Sequence, residues 1–354
     1  MTDNQQRNAL VTAAGLVAGA SLAYLAASRS GRKESFRDQV VLITGASRGL
    51  GLVLARRFAA EGARVAIVGR DQVSLIEAKE DLLEYGGEVD AFPCDITKRE
   101  EAERAITRLI SRWGRIDVLV NNAGTIISAP FQHTSIENFE EALGVFFWGP
   151  LYLIRAAYPH MRRQRGGRIV NIASIGGKVA VPHLLAYCSG KFALTGLSTG
   201  LHSELARDRI AVTTVSPGLM RTGSHINARF KGRHKAEYAW FALADALPLT
   251  SIDVERAARQ IVEATRRKRA ELIITSQAKL LAAATALAPE LMAAVLSLTN
   301  SLLPKPVGAQ GNVEHRGSES KPRWMPKLVT RLADRAAEAN NEIRLHPAPN
   351  QGRA

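Results

Sequence analysis

Residues 44–51 read TGASRGLG and stand between two unlike patterns. Before them, residues 39–43 form a short apolar, β-branched run, the mark of a buried strand. After them, over 50–61, apolar residues recur at helical spacing. A strand, a glycine turn and a helix in that order build an anion site. Glycines let the backbone turn tightly and approach a pyrophosphate, and the next helix points its free N–H groups and positive dipole end at it. Gly45, Ser47, Arg48, Gly49, Leu50 and Gly51 are therefore candidate contacts to a dinucleotide.

The alternation continues outward from this turn. The runs QVVLITG, ARVAIVG, GEVDAFPCD, IDVLVNNAG, GRIVNIAS, IAVTTVSPG and ELIIT are separated by helical stretches such as 72–85, 99–113 and 184–207. Apolar strands divided by helices predict a parallel sheet covered on both faces. Seven of them make one α/β, doubly wound domain over 36–277. Composition agrees: 354 residues, 46% apolar and 23% charged, support a full core and exclude collagen-like, disordered and disulfide-scaffold chains. Cys94 and Cys188 lack CxxC or Cys/His ligand spacing. No structural metal or disulfide framework is expected, and a reducing compartment is.

Three segments flank the domain. Within 1–35, residues 9–27 are 19 uncharged positions bounded by Arg7 and by Arg29, Arg32 and Lys33. As a helix that length spans a bilayer. It reads as a membrane anchor, a cleaved secretory signal or an apolar helix packed on the protein. As an anchor, its basic C-terminal flank leaves a membrane-associated protein with its catalytic domain in the cytoplasm. Residues 278–304 are apolar again, with Pro289 beginning a second helix and Leu291, Val295, Leu298 and Leu302 on one face. They either pack on the domain or lie on a membrane surface. Residues 305–354 read as a basic, largely flexible tail with a short helix near 327–340.

The second strand ends in Gly69–Arg70 rather than in an acid. An acid there would accept from a ribose 2′-hydroxyl, whereas Arg pairs with a 2′-phosphate. Arg70 and Arg48 favour NADP(H) over NAD(H), with Asp71, one position late, arguing the other way. Asp95, at the end of the third strand, is placed to meet the adenine ring. Tyr187 and Lys191, four apart, share a helix face. An ammonium there stabilises phenolate and reaches a ribose. Ser174, after the fifth strand, can hydrogen-bond a substrate oxygen while the tyrosine exchanges a proton with it.

Taken in order, TGASRGLG, CDIT, NNAG (121–124), NIAS, YCSGK and SPGLMRT resemble the short-chain dehydrogenase/reductase family over roughly 36–277. The resemblance implies a Rossmann-like domain, a nicotinamide-dependent oxidoreductase, and a homodimer or homotetramer. It makes Ser174 and Tyr187 catalytic and has Lys191 shared between cofactor and proton relay. Asn121, Ala123 and Gly124 then lie beside the cofactor, and Pro217, Gly218 and Thr222 contact its nicotinamide end. One position departs: the family usually has Asn where Phe146 stands in VFFWG, and phenylalanine cannot hold the water that links the lysine to solvent.

The substrate side is the long stretch 219–249. Its Phe230, Tyr238, Trp240, Phe241 and Leu243 either line a site for a hydrophobic carbonyl or alcohol, or pack a lid or dimer contact. His183, His225 and His234 lack ligand spacing and read as solvated positions, so no metal is expected. The net charge of +14 suits nucleic acid, anionic lipid or a phosphorylated cofactor. The basic runs lack a nucleic-acid-binding fold, so no nucleic-acid partner is expected. The expectation is a membrane-associated, NADP(H)-preferring oxidoreductase of a lipophilic carbonyl or alcohol. The alternative, raised by Phe146, is a catalytically weakened NADP(H)-binding regulatory protein.

Overall fold

Strand β1 (Val40–Thr44) sends successive side chains into two different cores. Val41 and Ile43 join Phe58, Leu75 and Ile261 on one face, while Val40 and Leu42 join Leu109, Leu153 and Met161 on the other. That period of two, with every residue buried, is the signature of a strand covered on both sides. The computed structural model describes residues 34–246, 251–322, 325 and 334–343. The expected N-terminal helix lies outside the described residues.

From Phe36 onward the chain forms one compact unit. Around β1 stand β2 (Arg64–Gly69), β3 (Val89–Pro93), β4 (Val118–Asn121), β5 (Gly167–Ile172), β6 (Ile210–Pro217) and β7 (Glu271–Ile274). Their order is β7-β6-β5-β4-β1-β2-β3, all parallel, with Val41 opposite Val65 on one side and Val118 on the other. Chain direction across the sheet reverses between β1 and β4, which opens a crevice beyond their carboxyl ends. The seven expected strands are all present.

Helices α1 (Gly49–Ala60), α2 (Gln72–Leu83) and α3 (Arg99–Trp113) connect the first strands. Helices α4 (Ile136–Leu143), α5 (Gly149–Arg163) and α6 (Leu185–Leu205) follow β4 and β5. After β6 come α7 (His234–Ala246) and α8 (Val254–Arg266), and after β7 come α9 (Ser276–Leu287) and α10 (Pro289–Leu302). The chain bends by 120° between α9 and α10, where proline removes a helical donor. No single helix among the described residues is long and apolar enough to cross a membrane.

Part of the basic tail is folded rather than loose. His315–Arg316 pairs antiparallel with Arg229–Phe230, which pairs parallel with Ile127–Ser128. Residues 334–339 are helical.

Candidate active site

The glycine turn takes its shape from two left-handed residues, Gly45 at φ +64° and Gly49 at φ +58°. A Cβ on Gly45 would also lie 2.7 Å from the Ala123 Cα, so only glycine fits there. The loop after β4 clamps this turn. The Asn122 side-chain amide donates to the carbonyls of Thr44 (2.9 Å) and Gly45 (3.2 Å). The Thr44 hydroxyl accepts from the backbone N–H groups of Asn122 and Ala123. Sequence reasoning placed Asn121, Ala123 and Gly124 here but passed over Asn122, whose side chain holds the two loops together. Asn121 instead points into the sheet and donates to Asn171 (2.8 Å).

No side chain of the turn caps α1. The Gly49 N–H donates to the carbonyl of Asn340 (2.8 Å), and the Glu342 carboxylate lies 3.5 Å from Arg48 Nε. A carboxylate beside an arginine at a helix N-terminus is a stand-in for phosphate, so these residues fit a dinucleotide's anionic centre. Leu50 and Gly51 continue the first turn of α1, and Gly51 sits so close to Asn122 that a Cβ would collide with its amide.

Residues for the adenosine end cluster at β2 and β3. Ser47 Oγ lies 3.9 Å from where a Cβ on Gly69 would be, so the tip of β2 adjoins the turn. Arg70 is exposed at that tip. Asp71 is committed elsewhere: its carboxylate caps α2, accepting from the Ser74 N–H (3.0 Å) and hydroxyl. Asp95 is half-buried just beyond β3 and accepts from the Thr97 N–H and hydroxyl. At the other end, Pro217 closes β6, the Gly218 N–H donates to Ile274, and the buried Thr222 hydroxyl accepts from Ser224.

Ser174, Tyr187 and Lys191 meet beyond the end of β5. Ser174 has extended backbone, and its oxygen accepts from the Gly176 N–H (3.0 Å). Its hydroxyl and the Tyr187 ring meet over Gly176, where a Cβ would lie 3.4 Å from Ser174 Oγ and 3.0 Å from Tyr187 Cε1. Burial pushes that phenol up to about 12, and the neighbouring Ser174 hydroxyl opposes the rise. One turn along α6, the buried Lys191 donates to the Ile172 carbonyl (2.7 Å), and burial pushes its pKa down to about 7. A phenol beside a hydroxyl, one helical turn from an amine that titrates near neutrality, can move a proton to or from a bound oxygen.

Phe146 sits against this group. It lies in a π-helical turn, Gly144–Trp148, between α4 and α5. Its ring centroid is 4.0 Å from Lys191 Nζ and 5.4 Å, edge-on, from that of Tyr187. Gly190 makes the space: a Cβ there would lie 2.7 Å from the Phe146 ring. The ring face attracts an ammonium but offers it no hydrogen-bond acceptor. Single π-turns of this kind occur often at functional sites.

The lid follows one of its two expected readings and departs from expectation at its histidines. Phe230, Tyr238 and Phe241 are buried against one another with Ala228 and Met325, so these aromatics pack the lid rather than line a site. Trp240 and Leu243 are only partly buried. Of the three histidines expected in solvent, His183 and His225 are buried and His234 is half-buried. Buried His183 bonds through Nδ1 to the fully buried Glu237 carboxylate (2.8 Å), which also accepts from Ser128 Oγ and Trp240 Nε1. That carboxylate supplies the polar partner that makes burial of an imidazole tolerable. His225 is enclosed against Tyr238, and His234 stacks on His315 with centroids 3.9 Å apart. The tail and the lid core provided neighbours that local spacing could not reveal. Among the described residues no three His, Cys, Asp or Glu side chains form a metal-binding group.

Residues 39–231 match the family model described as short chain dehydrogenase. The fatty acyl-CoA reductase of Acinetobacter baylyi is 31% identical over 80% of this chain and 91% of its own length. Dehydrogenase/reductase SDR family member 7B of Danio rerio is 32% identical over 69% of this chain and 79% of its own. Among solved structures, L-sorbose reductase from Gluconobacter frateurii, complexed with NADPH and L-sorbose, superposes with a TM-score of 0.62 at 26% identity. That match covers 69% of this chain and 97% of the reductase. An NAD+-bound xylitol dehydrogenase superposes with a TM-score of 0.61 at 26% identity over 68% of this chain and 99% of that one.

Proposed function

We propose that this chain, which belongs to the short-chain dehydrogenase family, interconverts a lipophilic carbonyl and its alcohol with a preference for NADP(H). As a family member it is an NAD(P)-dependent oxidoreductase acting on CH–OH and C=O groups; the preference, the substrate class and the proton path are the proposal. The observation that carries it is the meeting of Ser174 and Tyr187 over Gly176, with Lys191 one turn away on the same helix.

The nicotinamide, when bound, supplies or takes up the hydride at the substrate carbon. Every other part belongs to the chain's own residues. Ser174 holds the substrate oxygen and shares a proton with Tyr187. Tyr187 gives its phenolic proton to that oxygen in the reductive direction and takes it back in the oxidative one. Lys191, once protonated, stabilises the phenolate left behind.

For the cofactor, Arg48, Ser47 and Arg70 gather at the turn and the tip of β2, and Asp71 is withdrawn as a helix cap. That combination favours a 2′-phosphate over a bare ribose. Solved relatives carry NADPH in one case and NAD+ in another. A lipophilic substrate is supported by the fatty acyl-CoA reductase relative and by the apolar pair α9 and α10. Leu280, Leu287, Leu291, Leu298 and Leu302 are all exposed there, with Lys279 and Lys305 exposed on the flanks. This face rests in the headgroup layer of an anionic membrane, to which residues 9–27 anchor the chain on its cytoplasmic side.

Phe146 keeps a second reading alive, a weakened enzyme that binds NADP(H) and regulates a partner, because its ring packs on Lys191 and offers it no hydrogen-bond partner. One assay separates the two. Long-chain aldehydes, ketones and alcohols are offered with each cofactor, and absorbance of the reduced nicotinamide is followed. Turnover that Tyr187→Phe abolishes, with dinucleotide affinity kept, establishes the enzyme. Tight NADPH binding without turnover on any of them establishes the regulator.

A further inference from the structure

The carboxylate that fills the anion centre belongs to the chain itself. Residues 334–343 cross the crevice and touch both of its walls. On one wall, the Gly49 N–H donates to Asn340 O, and Glu342 lies so close that a Cβ on Gly49 would meet its carboxylate at 2.6 Å. Arg56, further along α1, donates to Ala339 O (3.1 Å) and Asn340 Oδ1 (3.2 Å). On the other wall, beyond Thr222, the Asn227 amide donates to the Glu342 carboxylate (2.6 Å) and backbone carbonyl (2.9 Å). Ala337 is fully buried against Gly223, where a Cβ would lie 2.4 Å from it.

These walls, the first turn of α1 and the segment after β6, are the two that a bound dinucleotide's phosphates and nicotinamide end must reach. A phosphate and the Glu342 carboxylate carry the same sign and seek the same donors, so they cannot share the place. We propose that residues 334–343 are an autoinhibitory strap whose Glu342 competes with the cofactor diphosphate for the glycine turn. The proposal rests on the dinucleotide reading of the site. The closed strap lowers apparent cofactor affinity by the fraction of molecules in which it is open. The dinucleotide, by binding, expels it.

The test is made on the full chain with NADPH and NADH as probes. Fluorescence titration compares the unmodified protein with Glu342→Gln, which keeps the shape of the strap and removes its charge. Loss of a charge-assisted contact should tighten NADPH binding roughly tenfold. Hydrogen exchange gives an independent reading: in the unliganded protein the Gly49 and Glu342 amides are protected, and saturating NADPH should leave Gly49 slow while residues 336–342 exchange fast. Unchanged or weaker NADPH binding by Glu342→Gln overturns the strap. So does greater protection of 336–342 when NADPH is added, which would make the segment a cover over bound cofactor. If neither dinucleotide binds either protein while the sheet amides stay protected, the cofactor reading fails and the strap's role falls with it.

Discussion

Lys191 is buried with one carbonyl and two aromatic rings for company, and that setting holds its pKa near 7. The unfolded lysine titrates at about 10.4, so between those values the unfolded chain binds more protons and stability rises with pH. Below pH 7 both states are charged and the full penalty for burying the ammonium applies. Phe146→Asn gives the ammonium an amide partner and should raise its pKa. Urea unfolding of both proteins from pH 6.5 to 9.5 should show the variant gaining less stability with rising pH; parallel curves would show that the ring does not set the lysine's state. At the cofactor end, Arg70→Asp should reverse the preference from NADPH to NADH, because a carboxylate repels the 2′-phosphate and accepts from a 2′-hydroxyl. Unchanged relative affinities would remove Arg70 from the selectivity argument. Ser174, Tyr187 and Lys191 were legible from spacing along one strand-to-helix unit, and Phe146, on an earlier turn, stood out only against the family's usual Asn. The buried chain below them, Asn121 to Asn171 to Ser198, with Thr214 also donating to Ser198, was not. Its members come from four elements, and no local pattern marks them.

At the scale of elements, strands covered on both faces announce themselves as continuous Val/Ile runs, and here each of the seven runs formed a strand of the parallel sheet. The glycine turn was equally readable, since only glycine tolerates a left-handed backbone pressed against Ala123. Gly45→Ala should destabilise the fold by roughly 2 kcal/mol or more, from left-handed strain plus overpacking, and weaken dinucleotide binding with it. Thermal unfolding with and without NADPH would register both, and an unshifted melting point would contradict the close approach. The lid and tail resisted sequence reading for a common reason. Phe230 is buried because α7 and Met325 cover it, and His234 is half-buried because His315 stacks on it. Helical spacing reports which side chains share a face, never what lies opposite.

For the whole molecule, the proposed membrane contact falls on the exposed side of α10. Leu291→Lys with Leu298→Lys places two charges on the exposed side of α10, remote from any core. In a chain lacking residues 1–34, that pair should lower cosedimentation with anionic phospholipid vesicles several-fold while NADPH affinity stays the same. Equal cosedimentation would assign the apolar face to something other than lipid. The order of the chain carries one more consequence. All seven strands, the glycine turn and Ser174, Tyr187 and Lys191 precede residues 334–343. During synthesis the crevice is therefore complete before Glu342 has been added to the polypeptide. A newborn molecule meets the cell's dinucleotide with nothing in competition, and a protein already charged with cofactor on the ribosome would begin its life in a different state from one refolded from denaturant without it.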